Sequence, residues 1–396
     1  MLSAKTIELV KATVPVLQEH GEAITKHFYP LMFRERPEVK AFFNEAHQAH
    51  GSQPRALAHA VLAYAAHIDR LDKIAGELPR IIHKHVALGV LPEHYPIVGE
   101  YLLRAIREVL GEAATDDIIN AWAEAYGALA QVLIQAEEEV YASNAERVGG
   151  WRGTRAFRVA RREVESELIT SFYLAPVDGG ALPAYHPGQY LTLVLDIDGQ
   201  PTRRNYSLSG APGQDTWRIS VKREPGGKVS NWLHDHAQVG TELQVQQPAG
   251  EFVLDKLDAT RPLLLITGGV GITPAMSMLE TVAATGRPVH FLHAARHGGV
   301  HAFRERVQAL AAEHPNVQAF FLYDEPRAGD QPHAVGRLTS QVLVQHLPAD
   351  RDVDLYFLGP KPFMQQVRRL ALALGVPEER LRWEFFGPLE ALEEAA

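Results

Sequence analysis

The sequence has no cysteine in 396 residues. Disulfides, thiolate metal sites, iron–sulfur clusters and covalent Cys-x-x-Cys-His haem attachment are therefore excluded. Any redox chemistry must run on groups bound without thiols. Long apolar runs are missing as well. None approaches the roughly 20 residues that cross a bilayer as a helix, so no transmembrane segment is expected. The opening Met1-Leu-Ser-Ala-Lys-Thr6 leads into a helical pattern carrying Glu8 and Lys11. It lacks the apolar core of a signal peptide, and cytoplasmic residence is the expectation. An excess of positive charge is also lacking. Asp and Glu outnumber Lys and Arg by 48 to 39, a net charge of −9, which argues against nucleic acid as a partner. Neither an internal repeat nor a low-complexity tract is present.

What is there changes grammar twice. The length alone implies two to three domains. Residues 1–147 carry apolar residues at three- and four-residue spacing, with Pro30, Pro37, Pro54 and Pro92 at the expected breaks. This predicts an all-α domain. The run from Ser143 through Gly149-Gly-Trp-Arg-Gly153 reads as a hinge. Over 148–258 the period drops to two: Phe157–Arg161, Gln189–Leu195, Trp217–Lys222 and Glu242–Gln246 are separated by Gly, Pro and Asp turns. Short strands so spaced predict an antiparallel β-barrel. Over 259–396 strands alternate with helices. Pro262–Thr267, Pro288–Ala294, Val317–Leu322 and Val353–Leu358 predict an α/β domain with a parallel sheet.

Among 19 histidines, helix geometry singles out one. At roughly 100° per residue, Ile81, Ile82, Val86 and Leu88 form an apolar arc with His85 at its centre, while His83 points the other way. A histidine so placed is either a hydrogen-bonded core residue or a ligand facing a cavity. In Ser52–Tyr64, Gln53, Leu57, Ala60, Val61 and Tyr64 share a face, and an inward Gln53 is costly unless it is partnered. Tyr29 lies in the apolar run His27-Phe-Tyr-Pro-Leu-Met-Phe33, and Phe42-Phe43 precedes a loop. These residues admit haem binding or a plain helical domain with buried polar pairs.

The barrel and α/β parts have sharper motifs. Arg204-Asn205-Tyr206-Ser207 closes a strand: arginine suits a phosphate, tyrosine offers a flat face, and serine can bond a ring nitrogen. An exposed strand end is the bland alternative. Gly226-Gly-Lys-Val-Ser230 reads as a Gly-rich loop entering a helix, whose first amides make an anion site. Leu263-Leu-Leu-Ile-Thr-Gly268-Gly-Val-Gly-Ile-Thr-Pro274 runs from apolar strand to glycines to helix, with Thr273 suited to the N-cap and Pro274 to the first turn. That is the wiring of a dinucleotide pyrophosphate site.

Taken together these segments resemble the bacterial flavohaemoglobins (flavohemoproteins). The likeness covers the globin-like stretch through Val10–Leu17, His27-Phe-Tyr29, Lys84-His85 and Glu93–Leu103. It continues through the ferredoxin reductase-like FAD and NAD(P) domains. The resemblance implies haem b held without a covalent bond, FAD, and NADH or NADPH. His85 would be the proximal iron ligand, with Lys84 beside it. Tyr29, Gln53 and Leu57 would line the distal side, and Phe43 would pack on the porphyrin. Tyr95 and Glu137 match the family's proximal hydrogen-bonding pair. Glu138 and Glu139 lie beside Glu137, so the register stays open here. Arg204 would contact the flavin pyrophosphate, Asn205 would flank it, Tyr206 would stack on the isoalloxazine and Ser207 would approach its reactive nitrogen. Val229 and Ser230 would lie by the phosphates and Tyr190 near the adenosine. Gly268, Gly269, Val270, Gly271, Ile272, Thr273 and Pro274 would hold the nicotinamide dinucleotide. Phe385, Phe386, Gly387 and Pro388 would meet it at the flavin. Relatives commonly carry Cys-Gly-Pro where this chain has Leu358-Gly-Pro360, so tuning by that thiol is absent.

The implied reaction is nitric oxide dioxygenation. NAD(P)H reduces FAD, FAD reduces haem iron, and the ferrous-oxy haem converts nitric oxide to nitrate. An oxygen-storing or oxygen-sensing globin is the alternative from another class, as is a reductase for outside acceptors such as peroxides. The expected partners are O2, NO and NAD(P)H, with lipid at the distal pocket as a further ligand class. A monomer is the expected state. Arg296, after the second parallel strand, suits a 2′-phosphate but equally a solvated loop.

Overall fold

The computed structural model describes residues 2–43, 51–254 and 260–386. Among the described residues the first domain has six α-helices: α1 Ala4–Ala12, α2 Val14–Glu35, α3 Ser52–Ala66, α4 Leu78–Leu88, α5 His94–Leu110 and α6 Asp116–Glu146. Their ends follow from side-chain chemistry. Ser3 caps α1 by accepting from the Thr6 amide at 3.0 Å, and Thr115 caps α6 by accepting from the Ile118 amide at 3.4 Å. Phe28, Met32, Tyr101, Ile106 and Trp122 are buried where α2, α5 and α6 meet. Each contributes about 1.5–3 kcal/mol of transfer free energy.

Pro30 was expected at a break, and the helix runs through it. The physical reason is packing. Pro30 is exposed, whereas Phe28, Tyr29, Leu31 and Met32 around it are buried. The core contacts of those neighbours outweigh the roughly 3 kcal/mol that a helix-interior proline costs.

The second domain is one antiparallel sheet in the order β4-β3-β6-β1-β2-β5. The strands are β1 Arg155–Val164, β2 Ile169–Pro176, β3 Tyr190–Ile197, β4 Gln200–Ser207, β5 Trp217–Lys222 and β6 Glu242–Val245. A Leu208↔Ile219 bridge joins the end of β4 to β5 and begins to close the sheet on itself. Phe157, Phe172, Leu191, Leu193, Trp217 and Ile219 fill its interior. Helix α7, Lys228–His236, starts at Gly227.

The third domain is parallel throughout, in the order β10-β9-β8-β7-β11-β12. Its strands are β7 Leu263–Gly268, β8 Val289–Ala295, β9 Val317–Tyr323, β10 Ala334–Val335, β11 Asp354–Leu358 and β12 Leu381–Trp383. Successive residues of β7 feed opposite helix layers. Leu263 and Leu265 pack with Met276 and Leu279 of helix α8 (Ile272–Val282), while Leu264 and Ile266 pack with Val367. Chain order reverses between β7 and β11, and that reversal opens a crevice at the strands' carboxyl ends. The barrel is tied to this domain by Arg218 and Glu280, paired at 3.2 Å with both side chains nearly buried.

Candidate functional site

A buried polar cluster of the helical domain surrounds one ring nitrogen. His85 Nδ1 lies 2.7 Å from Glu137 Oε1 and 3.0 Å from the Tyr95 hydroxyl, and that hydroxyl donates to the same Oε1 at 2.6 Å. The proton count follows. Tyr95 spends its only hydrogen on Glu137, and an ionised carboxylate has none to give. The hydrogen between His85 and Glu137 therefore sits on Nδ1. That leaves Nε2 with its lone pair free, as an iron ligand requires. Among the three adjacent glutamates, Glu137 turns inward and is 2% exposed, while Glu138 binds Arg152 at the surface. Burial, with the Glu137 bond second, raises the Tyr95 hydroxyl far above its usual range.

Helix α4 is fixed from several sides. Tyr141 donates to Val90 O at 2.8 Å, just past the end of the helix. Tyr126 donates to Tyr95 O at 2.7 Å and lies where a Cβ on Gly99 would meet its ring at 2.5 Å. Gly89 ends α4 at φ +75, and a Cβ there would press on Gln246 of the barrel at 2.6 Å. The far face of α4 is covered too. His83 is half-buried and its Nε2 stands 3.4 Å from Glu251 of the barrel. Burial lowers its pKa.

Elsewhere in the helical domain, Tyr29 is buried in an aromatic nest. Its ring meets Phe28 at 4.7 Å and Phe43 at 5.5 Å, both edge to face. Burial raises its hydroxyl well above the usual range, so it stays a donor. Gln53 lies half-buried in the first turn of α3, and Leu57 packs on the same core.

In the barrel, β3 and β4 bring the flavin candidates together. Tyr190 pairs with Ser207, Leu191 with Tyr206, Thr192 with Asn205 and Leu193 with Arg204. Alternation puts Arg204 and Tyr206 on one face, Asn205 and Ser207 on the other. Thr192 bonds Asn205 at 2.9 Å, and burial raises the Tyr206 hydroxyl. Val229 and Ser230 open helix α7, where Ser230 accepts the Glu224 amide at 3.2 Å.

The third domain's glycines sit at the reversal. A Cβ at Gly271 would lie 2.5 Å from Leu358 O at the end of β11, and one at Gly359 would reach the Phe363 ring at 2.7 Å. Gly268 faces the same ring at 3.1 Å. Gly269, at φ +53, has open space in front of it. This is a cradle that side chains would fill, as close approach of a pyrophosphate requires. Thr273 differs from the sequence reading. Helix α8 begins at Ile272 with Gly271 as its cap, because a 3-10 turn over Gly269–Gly271 starts the winding early. The Thr273 hydroxyl instead donates to Val270 O at 3.0 Å.

Two cation–π contacts join helical domain and barrel in opposite directions. Lys84 Nζ lies 5.7 Å from the Tyr190 ring, and the Arg203 guanidinium 4.2 Å from the Phe42 ring. Glu384, just after β12, feels the charges of Lys84 and Arg80, but burial still pushes it up to about 7. Phe385 is partly buried against the third domain's core and Phe386 is exposed; Gly387 and Pro388 lie outside the described residues. Arg203 and Glu384 were not singled out from sequence. A carboxylate inside the aromatic run Trp383–Phe386 was the available signal for one, and β4 alternation for the other.

The architecture is that of a globin joined to a flavin- and nicotinamide-dependent reductase. Family models match in the same order: Globin over 26–133, Oxidoreductase FAD-binding domain over 158–254, and Oxidoreductase NAD-binding domain over 265–369. A flavohemoprotein of Pseudomonas aeruginosa is 57% identical over 394 residues, covering 99% of this chain and 100% of its own. The flavohemoglobin of Malassezia yamatoensis, solved with bound FAD and heme, superposes with a TM-score of 0.84 at 28% identity, over 98% of this chain and 100% of its own. The Flavohem-like FAD/NAD binding domain of nitric oxide dioxygenase from Vibrio cholerae is 36% identical, with a TM-score of 0.55 over 60% of this chain and all of its own. The chain belongs to the flavohemoprotein family, as an oxidoreductase with globin, FAD-binding and NAD-binding domains. No helix among the described residues is long and apolar enough to cross a membrane.

Proposed function

We propose that the chain is an NAD(P)H-dependent nitric oxide dioxygenase, with haem b on His85. The observation that carries this reading is the His85–Glu137–Tyr95 network in a globin that shares its chain with a reductase. When bound, the nicotinamide supplies a hydride, the flavin parts the electron pair, and the haem takes single electrons and binds the gas.

The side chains then have distinct tasks. Glu137 draws on the Nδ1 hydrogen and makes the imidazole a stronger electron donor to iron, while Tyr95 keeps that carboxylate in place. A globin that only stores oxygen has little use for that push. Tyr29, protonated in its dry nest, donates a hydrogen bond on the distal side, with Gln53 and Leu57 bounding the space. Arg204 would neutralise flavin phosphate, Tyr206 and Ser207 would orient the ring, and Tyr190 would close the adenosine side. The cradle from Gly268 to Pro274 would seat the nicotinamide dinucleotide, and Phe386 would stand where it meets the flavin. The Vibrio cholerae relative, described as part of a nitric oxide dioxygenase, supports the same reaction class. So does the Malassezia structure with its FAD and heme.

The test is nitrate formation. Holoprotein with NADH, air and nitric oxide is expected to form nitrate far faster than its His85→Ala variant. Equal rates would remove the reading.

A further inference from the structure

The second strand of the nicotinamide domain ends on a cation. Strand β8 lies directly beside β7, with Thr267 opposite His293 and Gly268 opposite Ala294. A dinucleotide held with its pyrophosphate on Gly268–Gly271 would have its adenosine ribose read by the residues just past the end of β8. A carboxylate there accepts the 2′-hydroxyl of NADH, whereas an arginine there meets the 2′-phosphate of NADPH. The residues present are Ala295-Arg296-His297.

Arg296 is held by its backbone and free at its side chain. Its carbonyl accepts the Glu325 amide at 2.7 Å, and the Ala295 carbonyl accepts the Asp324 amide at 3.0 Å. The Arg296 side chain is exposed, and no carboxylate pairs with it among the described residues. A neighbouring carboxylate fastens the turn through one of its oxygens. Asp330 accepts the Gly298 amide at 2.9 Å and the Arg327 amide at 2.8 Å, both on Oδ2. Gly298 also sits against a second cation, because a Cβ there would lie 3.5 Å from an Arg304 terminal nitrogen. His297 is buried with no partner at Nδ1. Arg296 thus stands exposed and without a carboxylate partner among the described residues, on a turn that Asp330 ties down through the Gly298 amide.

We propose that the turn Arg296–Gly299 recognises a 2′-phosphate, with Arg296 as the main contact, so that NADPH is the preferred donor. This rests on the dinucleotide site proposed above. The rival is that Asp324 or Glu325, exposed at the end of the adjacent strand β9, takes the ribose hydroxyls and favours NADH.

Two measurements on the full-length holoprotein decide. In anaerobic stopped flow, flavin bleaching should be more efficient with NADPH than with NADH. The ratio of the two efficiencies should fall roughly ten- to a hundredfold in Arg296→Glu, the worth of a lost charge-assisted hydrogen bond, and be partly kept in Arg296→Lys. Calorimetry reads the same contact without turnover. The fragment 2′,5′-ADP should bind the parent protein more tightly than 5′-AMP does, and that advantage should vanish in Arg296→Glu. An NADH preference that Arg296→Glu leaves unchanged, or equal binding of the two fragments, overturns the assignment. Failure of both nucleotides to bleach the flavin overturns instead the dinucleotide site on which it rests.

Discussion

Glu137 Oε1 stands 2.7 Å from His85 Nδ1 and also receives the Tyr95 hydroxyl. One buried carboxylate oxygen therefore collects two donors, and the imidazole it anchors has a single tautomer open to it.

Removing that charge should weaken the push on iron. Glu137→Gln keeps the shape, and haem should still bind, but the imidazole becomes a poorer donor. The haem midpoint potential should rise in a redox titration. Nitric oxide turnover should fall about 10- to 100-fold, the usual cost of losing such an outer partner. An unchanged potential would separate this network from the chemistry.

Gly271→Ala tests the cradle. The added Cβ would lie 2.5 Å from Leu358 O, which is backbone and cannot swing aside. Strand β11 or the Gly268–Gly271 turn must shift, so NADH-driven flavin bleaching should drop at least tenfold. The ultraviolet–visible spectrum of the haem in the same preparation should not change.

Glu280→Ala should destabilise the reductase half. It strips Arg218 of its charge partner, leaving its hydrogen bonds to Ser209, while the guanidinium stays nearly buried, at a cost of about 3–5 kcal/mol. Denaturant unfolding followed by flavin fluorescence reads this directly. A change under 1 kcal/mol would mean that water reaches Arg218 freely.

For Glu384, burial raises the carboxyl from 4.5 to about 7. The folded state then holds the proton more tightly than the unfolded one, so stability is lost as pH climbs from the unfolded to the folded value. Glu384→Gln should match the parent's Tm near about pH 5 and exceed it near about pH 8. Calorimetric scans at the two pH values check the sign. The side chain is only half-buried, so the gap should be small and shrink with salt.

Sequence patterning carried the three-part fold because each part has its own period. The helical stretch repeats at 3.6, the barrel at 2, and the last part alternates strand with helix. Strand β2 hides from such a reading: nearly every residue from Ile169 to Leu174 is buried, so no alternation remains. The two-residue β10 and three-residue β12 are too short to mark themselves. At the site, the central place of His85 on an apolar arc was visible from spacing alone. The choice of Glu137 among three glutamates was not, because it depends on how a 31-residue helix rotates against α4. The contact of Arg203 with Phe42 joins residues far apart in sequence and belongs to the docking of two domains. Pairings of that kind leave no periodic trace.

The central claim is a single electron path from nicotinamide to the iron on His85, and one anaerobic mixing experiment bears on it most directly. On adding NADPH or NADH to holoprotein, flavin absorbance should bleach first. The haem spectrum should then pass from ferric to ferrous without any added carrier, and at a rate independent of protein concentration. Flavin that bleaches while the haem stays ferric would contradict the account.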